Sequence, residues 1–241
     1  MKDRLILAGD SIAKGIIFDS DRGRYVRANR DGFGDGIRSA LNVEVEQIAK
    51  LGWSVSELKE ALNERFNKIF AKGEARPDIV AIEVGGNDSD FDWERIADQP
   101  DFDHQPKTPL HSYIETLQGI VASVRGLDVK PVLINLPPID ADRYFEFFTK
   151  GSVEMGKSVL KWLGQVGRIY WWHERYNSAL EYVAEITSTA LINIRYALLR
   201  TSNYRDYICN DGIHPNEKGQ ELIFKAAVEY VGRHNPSLLA V

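Results

Sequence analysis

Five short apolar runs punctuate the chain: Arg4–Ala8 (RLILA), Val43–Ala49 (VEVEQIA), Asp78–Val84 (DIVAIEV), Pro131–Leu136 (PVLINL) and Ala190–Ile194 (ALINI). Four are nearly continuous in apolar residues, the pattern of strands covered on both faces. VEVEQI alternates, which predicts an edge strand with one wet face. Helical periodicity fills the intervals. Val55, Leu58, Leu62, Phe66 and Ile69 recur at threes and fours behind Ser54 or Ser56 as a cap. A second helical stretch ends at Gly126, and a last one is expected to begin at Pro215, a residue suited to a first helical position. Alternation of strand and helix predicts an α/β fold with a mostly parallel sheet and helices on both faces.

No repeat, low-complexity tract or Gly/Ser/Pro-rich linker interrupts the pattern, so residues 1–241 read as a single domain. Two segments exceed ordinary loop length. One is 88–109; the other, 137–189, reads as a helical insertion rich in aromatics. Within it Ile169, His173, Tyr176, Leu180 and Val183 share a helical stripe, which makes His173 a core or boundary histidine. The run Tyr144–Phe148 together with Trp162 is expected to cap a pocket.

Composition narrows the partners. With 44% hydrophobic residues and a net charge of −5, the chain suits a soluble globular protein and lacks the basic footprint of a nucleic-acid binder. Cys209 is the only cysteine, which favours a reducing, cytoplasmic setting. No apolar run reaches membrane-spanning length, and Leu5–Ala8 is too short for a signal-peptide core.

In open α/β sheets, sites form beyond the carboxyl ends of the strands. Following the five runs in order stand Gly9-Asp10-Ser11, Leu51-Gly52-Trp53, Gly85-Gly86-Asn87-Asp88, Pro137-Pro138 and, after a short connection, Asp211-Gly212-Ile213-His214-Pro215. Those residues suit acyl transfer. A serine needs an imidazole to take its proton, and the imidazole needs a carboxylate to orient it. Ser11, His214 and Asp211 could serve. Donors for an oxyanion could come from the Ser11 N–H at a helix start, the Gly52 N–H and the Asn87 amide.

GDS at 9–11, the lone Gly52 in LGWS, GGND at 85–88 and DGIHP at 211–215 together resemble the four blocks of the SGNH (GDSL) hydrolase family, in family order. The resemblance implies a flavodoxin-like three-layer sandwich whose five-stranded parallel sheet has order 2-1-3-4-5. It also implies a serine esterase, lipase, acetylhydrolase or thioesterase acting on a small-molecule ester without cofactor or metal. It makes Ser11 the nucleophile, Asp211 the orienter, His214 the base, and Gly52 and Asn87 oxyanion donors.

Two other classes remain for comparison: a Mg²⁺-dependent phosphohydrolase using Asp10, and a non-catalytic binding module. Ile12 stands where the first would want a second carboxylate. Asp10 and Asp88 read as loop-holding residues, and Glu83 as a structural hydrogen-bond or arginine partner. Asp88, Asp90 and Asp92 fail the calcium-loop spacing, with Trp93 in the glycine position, and read as a solvated acidic loop. His104 and His111 lack metal-ligand spacing, and His234 reads as surface. Arg22, Arg24, Arg27 and Arg30 read as a solvated loop, with recognition of an anionic leaving group as the alternative.

Overall fold

A computed structural model describes residues 2–28 and 33–240. In chain order it holds β1 (Asp3–Gly9), β2 (Ile16–Asp19), β3 (Arg24–Arg27), α1 (Phe33–Ala40), β4 (Val43–Ala49), α2 (Val55–Lys72) and β5 (Ile79–Glu83). There follow α3 (Trp93–Asp98), α4 (Leu110–Gly126), β6 (Lys130–Ile134), α5 (Ala141–Thr149), α6 (Val153–Leu163) and α7 (Gly167–Ile186). The chain ends through β7 (Ala190–Ile192), α8 (Ile194–Leu199) and α9 (Glu217–His234). No helix among the described residues is long and apolar enough to cross a membrane.

The five apolar runs form one parallel sheet of order β4-β1-β5-β6-β7, or 2-1-3-4-5 counted over its own strands. Leu5 pairs with Val45 on one side and Ile79 on the other, so β1 is central and β4 forms an edge. Alternate residues of each strand feed two cores. Ile6, Ala8, Val80, Ile82 and Leu133 pack under α2, α4 and α7; Leu5, Leu7, Ala81, Val132 and Ile134 pack against α1, α8 and α9. These are the layers of a three-layer α/β sandwich.

The periodic helix holds as read: Val55, Leu58, Leu62, Phe66 and Ile69 are all buried in α2, and Glu57 accepts the Ser54 N–H at 2.8 Å. Three boundaries differ from expectation. Residues 16–27 form an antiparallel β2–β3 hairpin outside the main sheet, where a solvated loop was expected. Asn216, not Pro215, governs the start of α9: its side chain accepts the Gly219 N–H at 3.1 Å, while Pro215 bridges to Ile208. The link from β7 to Asp211 is not short, since it contains α8 and a 3-10 turn at Tyr204–Tyr207.

Beyond the carboxyl ends of the strands, α3, α5, α6 and α7 enclose a third cluster. Phe91, Trp93, Ile96, Tyr144, Val159, Leu163 and Ile169 form it. The helical segment of 137–189 thus has packing of its own while α7 also covers the sheet.

At the centre of the sheet β1 and β5 approach too closely for a side chain. A methyl on Gly9 would lie 2.1 Å from the Glu83 carbonyl oxygen and 2.7 Å from Ala13 Cβ. Gly9→Ala is therefore expected to destabilise the fold by about 1–3 kcal/mol, the usual range for overpacking, as measured by urea unfolding. An unchanged midpoint would contradict this packing.

Candidate active site

The chain leaves β1 through a single turn rather than the expected helix. Lys14 N–H donates to Asp10 O at 3.1 Å, Gly15 N–H to Ile12 O at 2.9 Å and Ile16 N–H to Ser11 O at 2.9 Å. Asp10 Oδ1 accepts the Ile12 N–H at 2.9 Å, closing the turn around Ser11. Ser11 is 4% exposed and therefore presented to an interior space, not to bulk solvent.

Far along the sequence, Asp211–His214 forms a second tight turn. Asp211 Oδ1 accepts the N–H groups of Ile213 and His214, both at 3.1 Å. Its Oδ2 contacts His214 Nδ1 at 2.5 Å, and His214 Nε2 contacts Ser11 Oγ at 2.8 Å. Asp211 thus spends one oxygen on the turn and the other on the imidazole. Gly212 lets the turn seat against α5: with φ +77°, a Cβ there would fall 2.3 Å from Tyr144 N and 2.6 Å from Asp140 O. Asp140 N–H donates to Gly212 O at 2.7 Å, completing the clamp.

The structure joins Ser11, His214 and Asp211 in one hydrogen-bonded line. Ser11, Asn87 and His214 line a common cavity, as does Leu51 beside Gly52. Gly52 has φ +85° and open space where a Cβ would stand. Among the described residues no backbone acceptor takes the N–H of Ser11 or Gly52. Asn87 Nδ2 donates to Asp10 Oδ2 at 3.2 Å and to Trp53 O at 3.1 Å, tying β1, the loop after β4 and the loop after β5 together. Asp88 accepts the Val55 N–H at 3.0–3.1 Å; burial raises its pKa to about 6.

The cavity holds about 290 Å³ and is mainly aromatic and aliphatic. Tyr25 from the hairpin, Phe91 and Trp93 from the segment after β5, and Tyr144, Phe147 and Phe148 from α5 line it with Ile169 and Trp172 of α7. The expected cap therefore exists in part. Trp162 stands one layer back, edge-on to Phe91 at 5.1 Å and to His104 at 5.6 Å. Among the described residues no Lys or Arg lines the cavity. Arg22, Arg24 and Arg27 stand on the hairpin and do not reach it, and Arg30 lies outside the described residues.

The acidic segment after β5 is not a solvated loop. Asp88 is fully buried, Asp92 caps α3 by accepting the Arg95 N–H at 3.0 Å, and Asp90 receives three donors. Trp93 Nε1 donates to Asp90 at 2.9 Å, as do Tyr144 OH at 2.7 Å and Lys107 Nζ at 2.8 Å, which fixes two aromatic walls. Tyr25, whose ring lies 5.1 Å from that of His214, was not expected at the site. Its signal was present in Ile16–Phe18 and Tyr25–Val26, β-prone pairs flanking the turn-forming Ser20–Gly23. His173 is 5% exposed and buried as expected, yet it also lines the cavity, and its Nδ1 has no hydrogen-bond partner among the described residues. Burial, and then the Arg195 guanidinium, push its pKa down to about 3.

Among the described residues no group of three or more His, Cys, Asp or Glu could hold a metal ion. The model of the GDSL-like Lipase/Acylhydrolase family matches residues 7–222. No curated protein matches the chain. Solved structures share the fold over nearly full length. A lipase/acylhydrolase from Enterococcus faecalis is 17% identical, with a TM-score of 0.65, covering 99% of this chain and 97% of that one. An acetylxylan esterase from Geobacillus stearothermophilus, solved as a catalytic mutant, is 19% identical with a TM-score of 0.60 and 96% of each chain covered. A psychrotrophic esterase from Pseudoalteromonas sp., inhibited by monoethylphosphonate, is 15% identical with a TM-score of 0.58, covering 96% and 98%.

The depressed His173 pKa has a stability consequence. The unfolded imidazole takes a proton near pH 6.5 and the folded one only near 3. Stability from this group is therefore complete above the unfolded pKa and is lost as pH falls toward the folded one. Between pH 7 and pH 4 the wild type is expected to lose about 3 kcal/mol more than His173→Phe, read by urea unfolding at both values. Parallel losses would contradict it.

Proposed function

The chain belongs to the GDSL-like lipase/acylhydrolase family and is an esterase of that class; from this premise we propose that it cleaves neutral carboxylic esters or thioesters through an acyl group carried on Ser11. The observation that bears most weight is the buried line in which Ser11 Oγ meets His214 Nε2 at 2.8 Å and His214 Nδ1 meets Asp211 Oδ2 at 2.5 Å.

Ser11 Oγ attacks the ester carbonyl carbon as its proton passes to His214 Nε2. Asp211 holds the imidazole so that Nδ1 carries its proton and Nε2 is free to accept, and it offsets the imidazolium charge. The carbonyl oxygen, now anionic, accepts from the Ser11 and Gly52 N–H groups and from Asn87 Nδ2. For Asn87 this means exchanging one of its two long hydrogen bonds, to Asp10 or Trp53, for the oxyanion. Collapse breaks the bond to the leaving alcohol or thiol, which takes the proton from His214. Water, deprotonated by His214, then attacks the acyl carbonyl, the bond from that carbon to Ser11 Oγ breaks, and His214 returns the proton to Ser11 as the carboxylic acid leaves.

The apolar lining, with no Lys or Arg in it among the described residues, favours an uncharged acyl group of several carbons or an aryl ring. An aspartyl nucleophile at Asp10 has less support, because both its oxygens are occupied and the residue is 1% exposed. The lone buried Cys209 fits a cytoplasmic setting.

Ser11→Ala and His214→Ala are each expected to lower kcat/KM by about 10⁴-fold, and the double variant little further, because the parts act as a unit. A serine-directed phosphonate should label Ser11 and nothing in Ser11→Ala, read by mass spectrometry of the peptide. Retained turnover in Ser11→Ala would overturn the mechanism. In matched nitrophenyl esters, neutral butyryl to octanoyl groups should exceed a succinyl half-ester in kcat/KM by more than about tenfold, since the cavity offers the second carboxylate no cation. Equal rates would overturn the preference for neutral substrates.

A further inference from the structure

The mechanism leaves the buried Glu83 unused. Glu83 closes β5 and is 0% exposed; its Oε2 accepts the Ala13 N–H at 3.2 Å, and its Oε1 has no hydrogen-bond partner among the described residues. Its contact with Ala13 brings this carboxyl to the Ser11 turn beside Asp10, whose N–H donates to the Glu83 carbonyl oxygen at 3.3 Å; Asp10 is itself buried, serves the Ile12 N–H and Asn87 Nδ2, and lines the cavity together with Glu83. Two neighbouring buried carboxylates, with no Lys or Arg among the described residues lining their cavity, disfavour double ionisation, and one proton between them turns the repulsion into a hydrogen bond.

We propose that Glu83 and Asp10 share a single proton, held on Glu83 Oε1 and donated to Asp10, and that Glu83 is thereby a positioning residue for the oxyanion donor Asn87. With Glu83 neutral, the floor beneath Ser11 carries one negative charge instead of two while an oxyanion develops above it. The Glu83 O–H also gives Asp10 a further donor, so Asn87 can turn one N–H to the oxyanion without stripping the carboxylate. Burial raises both carboxyls, and Glu83 rises further because Asp10 bears the charge. The other ionisable groups facing the pair are His214, which favours the charged form of Asp10, and Asp88 and Tyr113, which stand near it on the loop after β5 and on α4. Sign follows directly. The pair holds its proton to higher pH than a free carboxyl would and surrenders it as pH rises further, so support for Asn87 is lost on the alkaline side.

This deepens the Ser11 reading and rests on it for its kinetic part. Glu83→Gln replaces the shared proton with a permanent N–H while its carbonyl can still accept from Ala13; Glu83→Leu removes the donor. Infrared spectra of the wild type at pH 8 should show a protonated-carboxyl carbonyl band that is absent from Glu83→Gln. Glu83→Leu is expected to lower kcat on the order of 10- to 100-fold with KM within about twofold, as for a group acting only in the transition state. Glu83→Gln should recover most of that loss and lack the alkaline decline in kcat seen in the wild type. A wild type without the band, or a folded Glu83→Leu with wild-type kcat, overturns the proposal. Should Glu83→Leu fail to fold by circular dichroism, the band still tests the shared proton, and an alkaline decline persisting in Glu83→Gln overturns the positioning role. Failure of the Ser11 reading is separable: phosphonate would then leave Ser11 unlabelled, while the infrared band reports the proton whatever the activity.

Discussion

A buried 2.5 Å contact between Asp211 Oδ2 and His214 Nδ1 is the constraint around which the carboxyl edge of the sheet is built. A carboxylate removed from water is costly unless its lone pairs are filled. Asp211 meets that demand with two backbone N–H groups of its own turn and one imidazole. The turn can be this tight because residue 212 is glycine, and it stays in place because α5 presses on it from Asp140 and Tyr144. His214 has no freedom left except toward Ser11. The turn, the helix behind it and the end of β1 are therefore one mechanical unit, assembled from residues about two hundred positions apart.

The same economy governs the acidic groups around it. Asp10 closes the Ser11 turn and holds Asn87, Asp88 holds the first residue of α2, and Asp90 anchors Trp93 and Tyr144. Each joins two segments that follow different strands or helices. Polar atoms sit where loops from separate strands converge, and apolar side chains fill what lies between and above them. Geometry at the site is thus over-determined by hydrogen bonds that are individually modest.

The alternation of strand and helix, the layers it implies and the α2 stripe were legible in the sequence, because they follow from periodicity that no tertiary contact overrides, whereas the strand order was implied only by the resemblance to SGNH hydrolases. So was the convergence of Ser11, Asn87, Asp211 and His214, since a parallel sheet brings every strand's carboxyl end to one edge. What resisted reading was set by contacts between distant segments. Asp90 looks like a solvated carboxylate until Tyr144 and Trp93 are folded onto it, and His173 looks like ordinary core until the cavity opens beside it. Arg22 to Arg27 hid a hairpin, because its charged side chains outweigh the short apolar pairs Ile16–Phe18 and Tyr25–Val26. Of the expected cap, Tyr144, Phe147 and Phe148 line the cavity, whereas Phe145 packs on Phe148 and Trp162 on Phe91.

The hairpin carries a last consequence. Phe18 meets Phe147 edge-on at 5.0 Å, so the ribbon and α5, which each furnish a wall of the cavity, touch one another across an aromatic contact worth about 1 kcal/mol. Neither wall belongs to the main sheet, and no strand register of that sheet depends on them. Cavity and hydrogen-bonded line nevertheless share a support, because α5 furnishes one wall and its first turn also clamps Gly212 of the Asp211–His214 turn. The ribbon leans on the same region, with the Tyr25 ring 5.1 Å from that of His214 and the Phe18 N–H on Cys209 Sγ at 3.4 Å, so a side chain changed in either wall is felt at the histidine: the walls are braces as well as lining.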